Sequence, residues 1–282
     1  MSQLSVSEPS GTIRGRADLH IHSLASDGVS SVAEILDQAE HRALLDVIAI
    51  TDHERVDAAH AARAMAEARG LRVQVVVGEE VTTRSGHVVA LFIEQRIRPW
   101  ASLKSTVAQI HEQGGLAIIA HPLVPYPLCA SGRSILRLLD EQDPIFHPDG
   151  IEAFNPTTAG MRWGARAPEF VARTGVAALG ASDAHRAEHV GQALTTFEGT
   201  SADDVRRAIL ERKTGWEGST HEWHTQFATF RRQMGKNALA VRDDVRGKLL
   251  RDGTGRDLGY PGGRLRPARL DESGLHARRA TK

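Results

Sequence analysis

The 282-residue chain has almost no cysteine and no excess of either charge. Its one cysteine, Cys129, excludes an intrachain disulfide and suits a reducing compartment. Lys and Arg together number 35, as do Asp and Glu, so net charge points to no class of partner. No apolar run approaches the roughly 20 residues that span a bilayer. Residues 1–16 lack the apolar segment of a signal peptide, so we expect a cytoplasmic protein with no membrane partner.

Histidine, by contrast, is abundant, with 14 residues. The stretch from Asp18 to Ser23 predicts the first strand and contains His20 and His22. Alternate residues of a strand face the same side, so these two imidazoles project together. Imidazole binds Zn, Fe or Mn well. By itself, the pair fits either a metal ion or two ordinary histidines on a half-buried strand.

Segments with strand and helix patterns alternate along residues 17–218. Apolar runs such as Asp46–Thr51 and Leu116–Ala120 predict buried strands, and the amphipathic segment Val29–Ala43 predicts a helix. About seven or eight such units predict an α/β fold with a mostly parallel sheet covered by helices. A closed or nearly closed barrel is favoured, and an open doubly wound sheet is the alternative.

Nearly every predicted strand delivers a polar side chain at its C-terminal end. These residues are His20, His22, Asp52, His53, Glu79, Glu80, His121, Asn155, Asp183 and His185. In an α/β barrel these strand ends surround one face, where catalytic sites lie. The potential ligands outnumber the three or four that one zinc ion uses, so they predict a cluster of two or three divalent metal ions. A carboxylate such as that of Glu80 is suited to bridge two ions.

These residues resemble the motifs of the polymerase and histidinol phosphatase superfamily, known as PHP, over about residues 17–215. The matching segments are Asp18 to Ser23, Ser26 to Gly28, Ala49 to His53, Gly78 to Thr82, His87, His121-Pro122 and Ser182 to His185. The resemblance implies a distorted (β/α)7 barrel that holds two or three divalent ions (Mn, Zn or Fe). It also implies an enzyme that hydrolyses phosphoesters.

The resemblance further implies which residues bind each ion. The first ion takes His20, His22, Glu80 and Asp183; Glu80 bridges to a second ion held by His87 and His121; the third takes Asp27, His53 and His185. At the position of Asp27 many relatives have His and others Asp. The occupancy of the third position therefore depends on this residue.

The predicted reaction follows from metal chemistry. Metal binding lowers the pKa of water from about 15.7 to about 7, so we expect a metal-activated hydroxide to attack a small phosphomonoester or a nucleotide or oligonucleotide phosphoester. The predicted catalytic residues are Asp52, Asp183 and His185. The predicted substrate-binding residues are Arg133, Asn155 and Arg186. The arginines suit phosphate, although each also fits a solvated surface position, and Asn155 also fits simple loop capping.

Two alternative functions stay open. The segments Gly78–Phe92 and Ala120–Leu123 also resemble a PHP branch named for carbamate-cleaving hydrolases, which suggests a metallohydrolase of a carbamate, amide or carboxylic ester. A non-catalytic metal-binding regulatory module is disfavoured, because no ligand position is lost. Cys129 has no evident base beside it, and Glu79 is expected to face solvent.

The chain changes character after Gly218. We expect a disordered leader over 1–16, a PHP domain over 17–218, a helical extension over 219–252 and a disordered basic tail over 253–282. The extension carries an apolar stripe suited to packing on the barrel or on a second subunit: Trp223, Phe227, Phe230 and Met234. Residues 222–282 hold 14 Lys and Arg against 7 Asp and Glu, so nucleic acid is an alternative substrate.

Overall fold

The computed structural model describes residues 14–219, apart from 127, 160 and 163. Within them, nine strands form one sheet: β1 (Arg14–Ile21), β2 (Val47–Ile50), β3 (Gln74–Thr83), β4 (Gly86–Leu91), β5 (Leu116–Ile119), β6 (Gly150–Phe154), β7 (Ala177–Gly180), β8 (Ala193–Glu198) and β9 (Gly215–Gly218). The α-helices are α1 (Val32–His41), α2 (Asp57–Ala68), α3 (Leu103–Glu112), α4 (Gly132–Leu139), α5 (Pro156–Ala159), α6 (Ala167–Thr174) and α7 (Ala202–Leu210). None of these helices is both long enough and apolar enough to cross a bilayer.

The described residues cover the predicted PHP domain and little of the other predicted segments. Strand β1 begins at Arg14, so the last three residues of the predicted leader belong to the barrel. Strand β9 extends the sheet beyond β8, up to Gly218. The helical extension over 219–252 lies outside the described residues apart from its first position, and the basic tail over 253–282 lies wholly outside them.

The strands follow the order β7-β6-β5-β4-β3-β2-β1-β8-β9. The pairs β1–β2, β2–β3, β5–β6 and β6–β7 are parallel, whereas β3–β4, β4–β5, β1–β8 and β8–β9 are antiparallel. The prediction of a mostly parallel sheet is therefore wrong. The link from β3 to β4 is a tight turn at Arg84-Ser85, which is too short for the crossover that parallel neighbours need.

The sheet curls into a nearly closed barrel, as predicted. The segment after β7 meets the end of β1 in a parallel bridge between Ala184 and Ile21. There the N–H of His22 donates to the carbonyl oxygen of Ala184 over 2.9 Å. Lower down, the Thr195 hydroxyl of β8 donates to the carbonyl oxygen of Gly180 in β7, also over 2.9 Å. These bonds join the two sides of the barrel.

Apolar packing fills the barrel below the polar strand ends. Leu19, Val76 and Ile118 contribute to the interior, together with Val205 and Ile209 of α7. Outside, α1 and α2 cover β1 to β3, and α3, α4 and α6 cover β4 to β6. Leu19, Val76 and Ile118 precede the polar residues that end their strands, whereas Val89 and Leu91 follow His87 on the antiparallel strand β4, so the polar side chains collect at one rim.

A shift in register lets β1 contribute side chains both to the barrel interior and to the layer beneath the outer helices. The pairing of β1 with β2 is irregular between Asp18 and Ile21. Leu19 consequently packs inside the barrel, whereas Ile21 packs outside it beneath α1 and α2. With regular alternation, two residues that are two apart would share one face. The shift places His20 directly above Leu19, on the interior face.

Candidate metal centre

All nine predicted metal-binding residues lie together at this rim. They form four groups whose ligand atoms lie within 4.8 Å of one another: His20, His22 and Asp183; His22, His53 and Glu80; His22, Asp27 and His185; and Glu80, His87 and His121. Eight of the nine are buried, and His53, with 19% of its side chain exposed, is the most accessible. His87 opens the antiparallel strand β4, so its strand start lies at the same rim as the parallel strand ends.

Glu80 stands between two of these groups. Its Oε1 lies 2.7 Å from Nδ1 of His87 and 3.0 Å from Nε2 of His121. Its Oε2 lies 3.3 Å from Nε2 of His20 and 3.2 Å from Nε2 of His22. The two oxygens thus face opposite sides, which is the arrangement of a carboxylate that bridges two metal ions.

The groups share members, so they are not four independent sites. His22 belongs to three groups, with Nε2 3.3 Å from Oδ1 of Asp183 and Nδ1 3.4 Å from Oδ1 of Asp27. A neutral imidazole has one nitrogen lone pair free to bind an ion. The groups that contain His22 therefore compete for it, and the donors suffice for two or three ions.

The third predicted group is also assembled. Nε2 of His185 lies 3.2 Å from Oδ1 of Asp27, and Nε2 of His53 lies 3.6 Å from Oδ2. Gly28 lets the loop that carries Asp27 pass close to β1. A Cβ at Gly28 would lie 2.5 Å from the carbonyl oxygen of His22, so a larger residue would displace this loop.

The donor chemistry fits divalent metal ions. Nδ1 of His22 and Nδ1 of His87 are buried without a hydrogen-bond partner of normal geometry. Buried polar atoms nearly always have partners, so such exceptions at a carboxylate cluster are consistent with coordination. A mixture of imidazole nitrogens and carboxylate oxygens suits Zn, Mn or Fe.

The charges of the cluster are strongly coupled. Burial by itself lowers the pKa of His20. The carboxylates of Glu80, Asp183 and Glu152 outweigh burial and raise that pKa to about 10. Conversely, burial raises the pKa of Glu80, but the surrounding imidazoles hold it well below its usual range. A proton on His20 balances the carboxylates around that ring, and a divalent ion would displace it.

Two of the donors have an unusual backbone conformation. Asp183 has φ of 52° and His121 has φ of 26°, both in the left-handed region that non-glycine residues rarely adopt. Such conformations cost roughly 1–3 kcal/mol each and persist where surrounding contacts fix them. Both residues lie within three positions of the end of a barrel strand, so the strain coincides with the point where the chain turns its side chain inward.

Sequence reasoning missed Glu152, which lies within β6 on the interior face. Its Oε1 lies 2.7 Å from Nδ1 of His20, and its Oε2 accepts a 2.7 Å hydrogen bond from the N–H of His121. The available signal was a charged residue in the middle of the apolar strand Gly150–Phe154. A carboxylate at such a position requires buried partners.

Asp52 makes contacts that differ from those of the metal-binding residues. Its carboxylate accepts from the N–H of Ser23 over 2.8 Å and from the hydroxyl of Ser23 over 2.6 Å. The Ser26 hydroxyl donates to it as well. Asp52 belongs to none of the four groups among the described residues. These bonds anchor the turn before Asp27, and a catalytic role for Asp52 stays a prediction.

The three predicted substrate-binding residues are placed differently. Asn155 is buried, and its Nδ2 donates to Oε2 of Glu152 over 2.8 Å. It therefore contacts a residue that hydrogen-bonds the metal-binding histidines. Arg133 lies exposed in the first turn of α4. Arg186 is half-buried, and its Nε donates to Glu188 over 2.6 Å. Contact with substrate stays a prediction for all three.

Two smaller expectations were wrong. Glu79 does not face solvent: its side chain is fully buried and accepts from the N–H of Ile97 over 2.8 Å, because the segment after β4 covers the outside of β3. Burial raises the pKa of Glu79 to about 8. Cys129 does have a base beside it, since its Sγ lies 3.4 Å from Nδ1 of His121. The loop between them folds back through a bond from Leu123 N–H to the Ala130 carbonyl.

Comparison with known proteins gives concordant matches. The profile of the PHP domain matches residues 18–126, and the profile described as PHP-associated matches residues 162–214. An uncharacterized protein of Methanocaldococcus jannaschii is 32% identical over 151 residues, which are 50% of this chain and 81% of the relative. A phosphoribosyl 1,2-cyclic phosphate 1,2-diphosphodiesterase of Eggerthella lenta is 36% identical over 101 residues, which are 33% of this chain and 37% of the relative.

The fold is shared with a solved structure from Bacteroides vulgatus, described as a two-domain protein containing a predicted PHP-like metal-dependent phosphoesterase. The two superpose with a TM-score of 0.61 at 20% identity, over 82% of this chain and 73% of the other. At that identity the likeness shows the fold alone. The family is shown by the two profile matches together with the relative from Methanocaldococcus jannaschii, most of whose length is matched. This chain belongs to the PHP family.

Proposed function

We propose that this chain is a metal-dependent phosphoesterase that hydrolyses a small phosphomonoester or a nucleotide or oligonucleotide phosphoester. The observation that carries the proposal is the position of Glu80, whose two oxygens face His87 on one side and His22 on the other. Such a carboxylate would hold one divalent ion on each side. Two ions held about 3.5–4 Å apart are a recurring arrangement in enzymes that cleave phosphoesters.

Divalent ions bound here would neutralise phosphate oxygens and lower the pKa of water. The chain's own residues would orient the substrate. His53, partly exposed, marks the accessible side of the cluster, and Asp27 and His185 lie beneath it. The other metal-binding residues are buried, so bulk water is excluded from that part of the cluster. Its exclusion strengthens every electrostatic interaction with a bound phosphate.

The matched relative from Eggerthella lenta supports a phosphoester substrate, because the name of that protein describes cleavage of a cyclic phosphate. The match spans residues equal to 33% of this chain. It therefore supports the class of bond rather than a particular substrate. Asp183 and His185 remain the proposed catalytic residues, since both lie in the cluster.

The test is a substrate panel. The purified chain is stripped with a chelator, reloaded separately with Mn²⁺, Zn²⁺ or Fe²⁺, and assayed with p-nitrophenyl phosphate, bis(p-nitrophenyl) phosphate, nucleotides, a single-stranded oligonucleotide and an aryl carbamate. We expect metal-dependent cleavage of at least one phosphoester. Cleavage of the carbamate alone would favour the carbamate, amide or ester alternative. Full metal content with no cleavage of any substrate would favour a non-catalytic module.

Variants link the activity to the cluster. His121→Ala and Asp183→Ala each remove a donor, so both should lose turnover and bound metal together. His60→Ala is the matched control, because His60 lies on α2 with its Nε2 against the Glu94 carbonyl, away from the cluster. If the two cluster variants kept full turnover and full metal content, the proposed centre would be wrong.

A further inference from the structure

We propose that Glu152 is a positioning residue that fixes two metal-binding residues from different groups, His20 and His121, in the state that binds metal. The inference rests on the metal centre of the proposed function. It adds a residue that neither the motifs nor the donor groups contain. Glu152 would not bind the ions itself, since it belongs to none of the four groups found among the described residues.

The carboxylate of Glu152 has three close partners, all hydrogen-bond donors. Oε1 faces Nδ1 of His20 at 2.7 Å. Oε2 accepts from the backbone N–H of His121 over 2.7 Å and from Nδ2 of Asn155 over 2.8 Å. Glu152 is only 2% exposed, so water cannot replace these partners. The side chain thus links β6 to β1 and to the turn after β5.

The orientation of the Asn155 amide is fixed independently. Its Oδ1 accepts from the N–H of Thr157 over 2.9 Å and from the hydroxyl of Thr157 over 2.6 Å. Because Oδ1 faces these donors, Nδ2 must face Glu152. Nδ2 also lies 3.4 Å from Oδ2 of Asp183. The amide therefore presents a donor to Glu152 and extends the same support to a third metal-binding residue.

The contact with His20 decides which ring nitrogen carries the proton. An ionised carboxylate can only accept, so Nδ1 of His20 must be the donor. In the neutral imidazole, Nε2 then keeps its lone pair. That atom faces the cluster, 3.1 Å from Nε2 of His22 and 3.3 Å from Oε2 of Glu80. Orientation of a metal-binding histidine through its other nitrogen is a general feature of metal sites.

The contact with His121 supports a backbone conformation rather than the position of a ring proton. His121 has φ of 26°, a conformation that needs support. The bond from its N–H to Glu152 holds the peptide in place, while its Nε2 faces Oε1 of Glu80 at 3.0 Å. His20 and His121 lie on opposite sides of Glu80. One carboxylate therefore fixes a donor on each side of the bridge.

The variant Glu152→Gln isolates this role with almost no change in size. If the amide oxygen faces His20, the NH₂ group opposes the donors of His121 and Asn155. If the amide is reversed, the NH₂ group donates to Nδ1 of His20 and moves the ring proton to Nε2, the atom needed for metal. Either orientation damages one side of the centre.

The experiment measures zinc affinity of the full chain by competition with a chromogenic chelator. The matched control is Glu40→Gln, which alters a largely buried carboxylate on α1 that accepts from the N–H of Val73. We expect zinc binding of Glu152→Gln to weaken about 10–100-fold, with Glu40→Gln unchanged. Thermal unfolding separates the positioning role from a merely structural one: whatever stability Glu152→Gln loses without zinc, it should also gain less than the wild type when zinc is added.

The possible outcomes distinguish failure of the positioning role from failure of the proposed function. Equal zinc affinity of Glu152→Gln and wild type would overturn the positioning role and leave the proposed function standing. Wild-type protein that takes up no divalent metal would overturn the proposed function and the positioning role together. If Glu152→Gln does not fold, the zinc-loaded wild type gives the answer: long-range ¹H–¹⁵N correlation spectra should place the His20 proton on Nδ1, and a proton on Nε2 would contradict the proposal.

Discussion

Oε1 of Glu80 lies 2.7 Å from Nδ1 of His87, on the side of the carboxylate away from His22. Glu80 belongs to β3 and His87 to β4, and the antiparallel pairing of these strands brings them together across a tight turn. The two sides of the cluster are therefore joined through a rigid hairpin. This geometry makes Glu80 the residue whose loss should affect both sides at once.

We expect Glu80→Gln to lower both the number of bound ions per chain and the turnover. The amide keeps the size but removes the charge that two ions would share. Mutation of a residue that only hydrogen-bonds a metal ligand typically lowers metal affinity or activity about 10–100-fold. Loss of the ligand itself should therefore lower turnover at least about 100-fold. Metal content by mass spectrometry and phosphoester assays provide the measurement. Unchanged metal content would contradict a bridging role.

Asp52 provides a test of structure against catalysis. Asp52→Ala leaves three donors of Ser23 and Ser26 without their acceptor, and each buried unpaired group costs about 1–3 kcal/mol, so the melting temperature should fall clearly. Asp52→Asn can keep most of these bonds, so it should retain stability and metal content. If Asp52 has the predicted catalytic role, this variant loses turnover; full turnover in a stable Asp52→Asn protein would show that Asp52 only anchors the turn.

Cys129 touches His121 without being a nucleophile in the proposed reaction. Ser can maintain a polar contact with Nδ1 of His121, so Cys129→Ser should lose less than about tenfold in turnover. Cys129→Val removes that contact and should weaken metal binding more. Chelator competition and turnover assays on both variants are the measurement. Complete loss of activity in Cys129→Ser with normal metal content would point to thiol chemistry.

The stability of the barrel should depend on pH through His111, far from the cluster. Its Nε2 lies 2.8 Å from Oδ2 of Asp149 and its Nδ1 2.7 Å from the Ile145 carbonyl, so both nitrogens face acceptors. The hydrogen bond to Asp149 raises the pKa of His111 above 6.5. This contribution is therefore fully present below pH 6.5 and is lost as pH rises through the raised pKa.

Denaturant unfolding of wild type and His111→Gln across pH 6 to 9 checks the sign. The difference in unfolding free energy should be largest at the acid end and shrink as pH rises. His41→Gln serves as a control, because His41 lies exposed in the last turn of α1. A difference that grows with pH would show that the bond does not hold the protonated ring.

Much of the site could be predicted because its signals are local. His20 and His22 are two residues apart at the end of one strand, and Asp183 and His185 repeat that spacing after another. The alternation of strand and helix patterns is enough to predict that such strand ends meet at one rim. The structure confirms the barrel, and all nine donors lie together at one rim.

The contacts that hold the donors in place were not predictable in the same way. Glu152 is 132 residues from His20 and 31 from His121, so only the closed barrel brings them together. Strand direction was missed for a related reason. An apolar run predicts a strand, but the length of its connection decides whether its neighbour is parallel.

The sequence by itself determined which residues can bind metal and that they would meet at one end of a barrel, because side-chain chemistry and strand periodicity act over a few residues. Only the tertiary structure decided how those donors are shared, with Glu80 facing two sides and Glu152 holding a histidine on each. A buried carboxylate must find its hydrogen-bond donors wherever packing places them, and those donors lie on other strands.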